Sequence, residues 1–480
     1  MEKDAAVVAV VPIELKFSVP TFTKNVKVGQ PPSILHCFEE GCEGCMPGKR
    51  PLIILVAAFA AIGGYVAAPT PAFAEVLYRF SNSGTNGYWP FAGLTMDAAG
   101  HLYGTTNDGG FTNRRCPFGC GTVFQLTRGA NGSWTETMRH SFGRRTDGRN
   151  PYGGLVLDQA GNVYGTTVGG GAYDGGTVFK MARSANGKWT ETLLYSFCPS
   201  RQNNCVDGNE PSSALIFDSV GNLYGTTNQG GNGLCSGYGC GVVFELMPGA
   251  SGNWTERVLY EFAEFNDAAP RAGLILDMAG NLYGTTLEGG ANNGGTVFQL
   301  APGANGTWNE TVLYSFCSTN NCADGQGPVA SVTIDAAGNL YGTTTQGGKY
   351  RNCEYGGCGT VFQLTPGAGG NWRETVLHSF TGKDGNDPVA GLIFDTAGNL
   401  YGTTNIGGGY GYGTLFQLAP GANGQWAEKL LHSFCSTGSC PNHPWAGLTL
   451  DPTGNLYGTT AGGGRYGCNG GCGAVFEITP

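Results

Sequence analysis

Apolar and polar positions along this chain follow a short-period pattern that restarts about every sixty residues. One copy shows the elements. Ala272–Asp277, with Leu274 and Leu276, predicts a first strand, A. Met278, Ala279, Gly280 and Asn281 then predict a tight turn: the preceding Asp suits side-chain bonding and the Gly-Asn pair suits positive φ. Strand B is expected over Leu282–Thr286 and strand C over Gly295–Leu300. A second turn, Ala301–Thr307, holds Pro302, Gly303, Asn305 and Gly306. Strand D runs from Trp308 to Phe316, where Val, Leu, Tyr and Phe favour extended backbone.

The string YGTT marks each copy. It begins at Tyr103, Tyr164, Tyr224, Tyr283, Tyr341, Tyr401 and Tyr457, at intervals of 61, 60, 59, 58, 60 and 56 residues. Seven copies follow one another over residues 75–480 without a linker, so this is a single repeat domain. Four strands repeated seven times predict an all-β fold, a seven-bladed β-propeller. The ends agree. Residues 75–80, EVLYRF, resemble a lone strand D, whereas the seventh copy stops after its strand C, Gly473–Ile478. Bringing 75–80 to the last copy completes a four-stranded blade and removes free edges. An open solenoid, the alternative, expects capping repeats and does not account for the split copy. Trp134, Trp189, Trp254, Trp308, Trp372 and Trp426 open six D strands; the seventh position falls ahead of residue 75.

Composition narrows the class. With 84 Gly, 24 Pro and 13% charged residues, the chain is no helical bundle or coiled coil, and 11% aromatics argue against disorder. The net charge of −9, with no Lys/Arg-rich run, excludes a nucleic-acid footprint. Residues 51–68 are the only long apolar stretch; Lys49 and Arg50 precede it and Ala72-Phe73-Ala74 follows, with cleavage expected before Glu75. Residues 46–74 therefore read as a signal peptide that leaves no membrane span once cleaved, and residues 1–45 as an atypical extension or a mis-called start. A membrane anchor is the alternative, weakened by Gly63, Gly64, Pro69 and Pro71. Cys37, Cys42 and Cys45, with His36, form only a weak metal pattern.

The other fourteen cysteines form close pairs: Cys116 with Cys120, Cys198 with Cys205, Cys235 with Cys240, Cys317 with Cys322, Cys353 with Cys358, Cys435 with Cys440, and Cys468 with Cys472. An even set behind an export signal reads as disulfides in a secreted or extracytoplasmic protein. Strand alternation puts the near-constant A–B and C–D turns on one face and every Cys pair on the other, in B–C or D–A loops. Each bridge, if local, contributes about 2 kcal/mol of loop entropy; pairing between neighbouring loops is also open. Variable braced loops on a constant frame suit recognition, and equally suit mere protection of Gly-rich loops.

Other candidates lie on that face. Asp147, Asp207, Asp324 and Asp384 each stand in a D-G pair, with a shortened relative at Asp267; together they could hold calcium, although D-G before Pro is usually a turn. Trp89 and Trp445 stand beside Pro90 and Pro444 and could stack on sugars, with His443 near them. The glycines of T-T-x-x-G-G read as turn residues, because no G-K-[ST] and no helix follow. His140, His378 and His432 replace a strand-D Tyr, His101 replaces an Asn, and the Glu of W-x-E-T recurs at Glu136, Glu191, Glu256, Glu310, Glu374 and Glu428, so all of these read as framework. No cofactor other than possible calcium is expected. The reading is a monomeric, non-catalytic binding or scaffold protein for an extracellular glycan or protein. The alternative is a propeller hydrolase or lyase, with acids and a His gathered at the channel mouth.

The unit G-N-L-Y-G-T-T…G-T-V-F-Q-L…W-x-E-T-V-L-Y-S-F, over about residues 75–480, resembles the GloVer tandem-repeat family of bacterial exported proteins, whose members carry differing ("choice-of-anchor") sorting signals. The resemblance implies an extracytoplasmic protein of no established activity. Anchored members differ from this sequence, which shows no sorting signal before Pro480, so surface attachment is not expected. More loosely, P-x-A-G-L-x-x-D-x-A-G-N-L-Y looks like the NHL-type propeller repeat, which bears on architecture alone.

Overall fold

The computed structural model describes residues 74–480, apart from 83–85, 145, 200–204, 236–237, 264–266, 354–355, 436–439, 465–466 and 469. The leader, the segment ahead of it and the group of Cys37, Cys42, Cys45 and His36 lie outside the described residues. Among those described, no helix is long and apolar enough to cross a membrane.

Seven four-stranded antiparallel sheets follow in order, each running A-B-C-D. In blade 4 the strands are Ile275–Leu276, Leu282–Thr286, Thr296–Pro302 and Trp308–Ser315. Strand A is shorter than its sequence predicts. Its first residues lie against the neighbouring blade, and their carbonyls bond there instead of to strand B. The Thr226 hydroxyl of blade 3, for example, donates to the Ala272 carbonyl of blade 4 at 3.0 Å. The same link recurs from Thr166, Thr285, Thr343 and Thr403, and Thr459 of blade 7 reaches Ala92 of blade 1 at 2.9 Å. The first Thr of YGTT is thus the rivet between successive blades. In blade 1 the rivet is missing, and the Thr105 hydroxyl is buried without a partner.

The ring closes through the N-terminal strand. Ala74–Arg79 pairs antiparallel with Ala474–Ile478 and completes blade 7. This strand already includes Ala74, one residue ahead of the expected cleavage point. Seven edge-to-face Phe pairs, 4.9–5.2 Å between centroids, seal the seven interfaces, each joining the Phe after strand D to a strand-C Phe of the next blade. The Trp that opens each of six D strands packs on the YGTT tyrosine of the preceding blade, as Trp189 does on Tyr103 at 6.0 Å and Trp134 on Tyr457 at 6.2 Å.

Local chemistry builds the turns as expected. Asp277 Oδ1 accepts from the Ala279 and Asn281 amides, and its Oδ2 accepts from the Asn281 amide group and the Tyr283 hydroxyl. His101 takes the Asn role in blade 1, with Nδ1 2.8 Å from Asp97. Both glycines of T-T-x-x-G-G are left-handed in every copy, as at Gly289 and Gly290 (φ 91° and 75°). The glycine of YGTT serves space instead. A Cβ on Gly284 would lie 2.6 Å from Phe298 Cζ and 2.9 Å from Leu274 Cδ2. Gly284→Ala is expected to cost about 1–3 kcal/mol through overpacking, read from the urea midpoint; a neutral result would contradict this packing.

Candidate functional site

Strand A opens with Pro, a variable residue, then two small residues. The small residues let the backbones converge on the axis, where a Cβ on Gly93 would sit 3.1 Å from the Gly447 carbonyl oxygen. Ahead of each Pro the chain turns sharply. Trp89, Asn150, Glu210, Ala269, Gly327, Asp387 and His443 all have φ between 54° and 69°. That turn presents the residue after the Pro to the channel mouth. Phe91, Tyr152, Ser212, Arg271, Val329, Val389 and Trp445, one from each blade, ring a cavity of about 540 Å³.

The ring is two-sided. Phe91 and Tyr152 stack at 5.3 Å with 25° between their planes, and Trp445 meets Phe91 edge-on at 5.9 Å. Burial pushes the Tyr152 hydroxyl's pKa up, and the Trp445 indole opposes that shift. Across the mouth, Arg271 Nε donates to Asn228 Oδ1 at 3.3 Å. Asp387 accepts from the Asn405 amide group at 3.0 Å, and burial raises its carboxyl pKa from the ordinary value against that bond. Among the described lining residues Asp387 is the one carboxylate, and no His stands beside it.

The sequence-predicted residues are distributed differently from expectation. Trp445 is at the mouth. Trp89 is not its equivalent, because it precedes its proline whereas Trp445 follows one. Its indole N–H donates to the Gly471 carbonyl at 3.1 Å, and its ring packs beside Tyr88. His443 occupies the same pre-proline position as Trp89; its Nδ1 lies 3.1 Å from the Asn405 carbonyl and its ring meets Tyr412. Sequence reasoning missed Phe91, Tyr152 and Arg271. The available signal was the position after each Pro, which takes six residue types in seven copies while the two positions behind it stay small.

The cysteines are not ligand-binding groups at the mouth; they brace the loops around it. Each pair bonds within its own loop, and no bridge joins neighbouring loops among the described residues. Cys116 bonds Cys120, Cys198 bonds Cys205, Cys235 bonds Cys240 and Cys317 bonds Cys322. Cys353 bonds Cys358, Cys435 bonds Cys440 and Cys468 bonds Cys472. Of the two connectivities that the sequence left open, the local one is therefore present. The second cysteine of the B–C loops is the more deeply set: Cys120, Cys240, Cys358 and Cys472 are all buried. Each of the four thus ties an outer loop to the interior of its blade.

The four D-G aspartates are not brought together. Each bonds the end of its own strand D. Asp207 accepts from Tyr195 and the Cys198 amide, Asp324 from Tyr314, Ser318 and Thr319, and Asp384 from Thr381 and His378. Asp147 meets His140 Nε2 at 3.2 Å. The W-x-E-T glutamate of the following blade approaches each of these groups. Burial first, then the facing Asp147 or Asp207, pushes Glu191 and Glu256 up to about 7, with His140 opposing at Glu191 and the Tyr195 hydroxyl at Glu256. Glu374, facing Asp324, is pushed up to about 8. The charged form of these glutamates is costly at neutral pH.

The fold and the mouth define a class: a disulfide-braced repeat propeller whose variable residues converge on the axis. The chain belongs to the Gloeobacter/Verrucomicrobia repeat family, whose model matches residues 61–233, 112–355 and 351–480. No curated protein matches it. Among solved structures it is similar to a Thermus thermophilus protein assigned as an oxidoreductase (glucose dehydrogenase), with 16% identity, 85% of this chain and 99% of that one covered, and a TM-score of 0.40. It is also similar to a fungal alcohol oxidase of the AA5 family in complex with copper, with 13% identity, 86% and 77% covered, and a TM-score of 0.48. At that distance the likeness concerns the path of the chain, and neither protein's chemistry is carried over.

Proposed function

We propose that this is an exported, non-catalytic binding protein that takes a glycan at the channel mouth, on the face braced by the disulfides. One observation carries the reading: the Phe91, Tyr152 and Trp445 rings, from three blades, cluster on one side of a cavity whose other side offers Arg271, Asn228 and Asp387. Aromatic faces take the apolar C–H faces of a sugar, and separate polar groups can then orient its hydroxyls. Among the described lining residues Asp387 has no His and no second carboxylate beside it and makes a poor acid–base pair, so binding is favoured over turnover. Seven disulfides fit an oxidising compartment, and residues 46–74 would provide the export signal.

The test is titration with a panel of oligosaccharides, followed by calorimetry and Trp fluorescence. Trp445→Ala is expected to weaken the binding glycan at least about ten-fold, or about 1.4 kcal/mol, with little change in melting temperature. Wild-type affinity in that variant would overturn the site. Release of reducing sugar by the native protein would overturn the non-catalytic reading.

A further inference from the structure

We propose that His140 and Asp147 of blade 1, with Glu191 of blade 2, form a divalent transition-metal site that staples the two blades. One ligand atom from each lies within 4.8 Å of the other two, and this is the one such group among the described residues. The His140 Nε2 to Asp147 Oδ2 distance of 3.2 Å is close to the edge of a tetrahedron with bonds of about 2.1 Å. Asp147 Oδ1 is taken by the Gly148 amide, which leaves Oδ2 facing the imidazole. The Asp147 side chain is only 8% exposed. Glu191 Oε1 is buried and accepts no hydrogen bond. Two carboxylates brought this close need a proton or a cation between them, and here a ring nitrogen stands ready to share the cation.

The repeat supplies internal comparisons. Glu256 Oε1 is orphaned in the same way opposite Asp207, but a tyrosine, Tyr195, stands where His140 would be. Its phenol keeps its proton and donates to Asp207, so that interface is served by a proton. At His378 the histidine recurs, yet Asp384 Oδ1 is held by both the Thr381 amide and hydroxyl, and the group with Glu428 does not close to ligand spacing. Only between blades 1 and 2, among the described residues, do an imidazole, a sparsely bonded Asp and an orphaned Glu coincide. The donor set is one nitrogen and two oxygens. That set suits zinc or cobalt better than calcium, which prefers six to eight oxygens.

The test uses the full chain after EDTA treatment and dialysis, titrated with Zn²⁺ and, separately, with Co²⁺, read by calorimetry and by the visible absorption of bound cobalt. Metal that binds the folded state alone also raises the melting temperature. The decisive variant is His140→Tyr, because it installs the residue that blades 2 to 4 carry at Tyr195, Tyr260 and Tyr314 and should fold normally. It is expected to lose one equivalent of zinc and the cobalt absorption from this site, while its metal-free melting temperature stays near wild type. Glu191→Gln is expected to lose the same equivalent. Full zinc stoichiometry retained in both variants, no stoichiometric binding in the native chain, or binding of calcium in preference to zinc would each overturn the proposal.

Discussion

Replacement of Phe80 by alanine is expected to cost the propeller about 3–5 kcal/mol, as much as truncating a core Phe within an unbroken blade. Phe80 is 2% exposed and follows the closing strand, the one D strand supplied from the far end of the chain. Its ring stands edge-on to Phe124 of blade 1 at 5.1 Å and beside Tyr78 at 5.0 Å. Its amide donates to the Gly473 carbonyl of blade 7. One side chain therefore joins the last blade, the closing strand and the first blade. Its loss leaves a cavity beside the one blade whose strands C and D come from opposite ends of the chain. Urea denaturation with near-UV circular dichroism measures the cost, with Phe298→Ala as the reference between two blades built from continuous chain. A loss below about 1 kcal/mol at Phe80, beside a full loss at Phe298, would mean that the ring does not depend on this seam.

The second large effect is on pH. The folded protein is expected to be most stable in mildly acidic solution and to lose stability as the pH rises from about 5 through about 8. Glu256 and Glu374 are raised from an ordinary 4.5 to about 7 and about 8. Between those limits the folded state holds more protons than the unfolded chain, so the slope of unfolding free energy against pH is negative. Their contribution is complete below the ordinary value of 4.5 and is lost as the pH passes their folded values. The opposite sign applies to the turn aspartates. Asp158, Asp277, Asp335, Asp395 and Asp451 are lowered by the Asn, Tyr and backbone bonds that outweigh burial. Their contribution is present above the ordinary Asp range and is lost as the pH falls below it. The two sets leave a maximum between about 4 and 6, at the lower end of the usual range. Thermal melts across the acid-to-alkaline range measure it. Glu374→Gln, which keeps the shape and removes the charge, should flatten the decline above about pH 6. A melting temperature that climbs from about pH 5 to about pH 8 would contradict the assignment.

Much of this was legible in the residues because it is local and repeated. An Asp followed by Ala-Gly-Asn builds its own hairpin wherever it stands, and paired glycines turn left because they carry no Cβ. Seven copies of four short strands, with one strand displaced to the start, leave closure as the arrangement without open edges. The cysteines bonded to their near neighbours for the same reason of proximity. The limits of local reading show at strand A. Its apolar pattern extends back to Ala272, yet only Ile275–Leu276 pair, and the Ala272 carbonyl is claimed by a threonine of another blade.

The sequence by itself determined the blade, its turns, the number of copies and the strand that closes them, since each follows from contacts between residues near in the chain or from simple counting. Only the tertiary structure decided which side chains meet. Phe91, Tyr152 and Trp445 stand at opposite ends of the sequence and touch because blade 7 lies beside blade 1. His140 and Glu191, ordinary members of their own copies, face Asp147 together because strand D of one blade packs on the next. Curvature of the ring, which no single repeat encodes, sets both meetings.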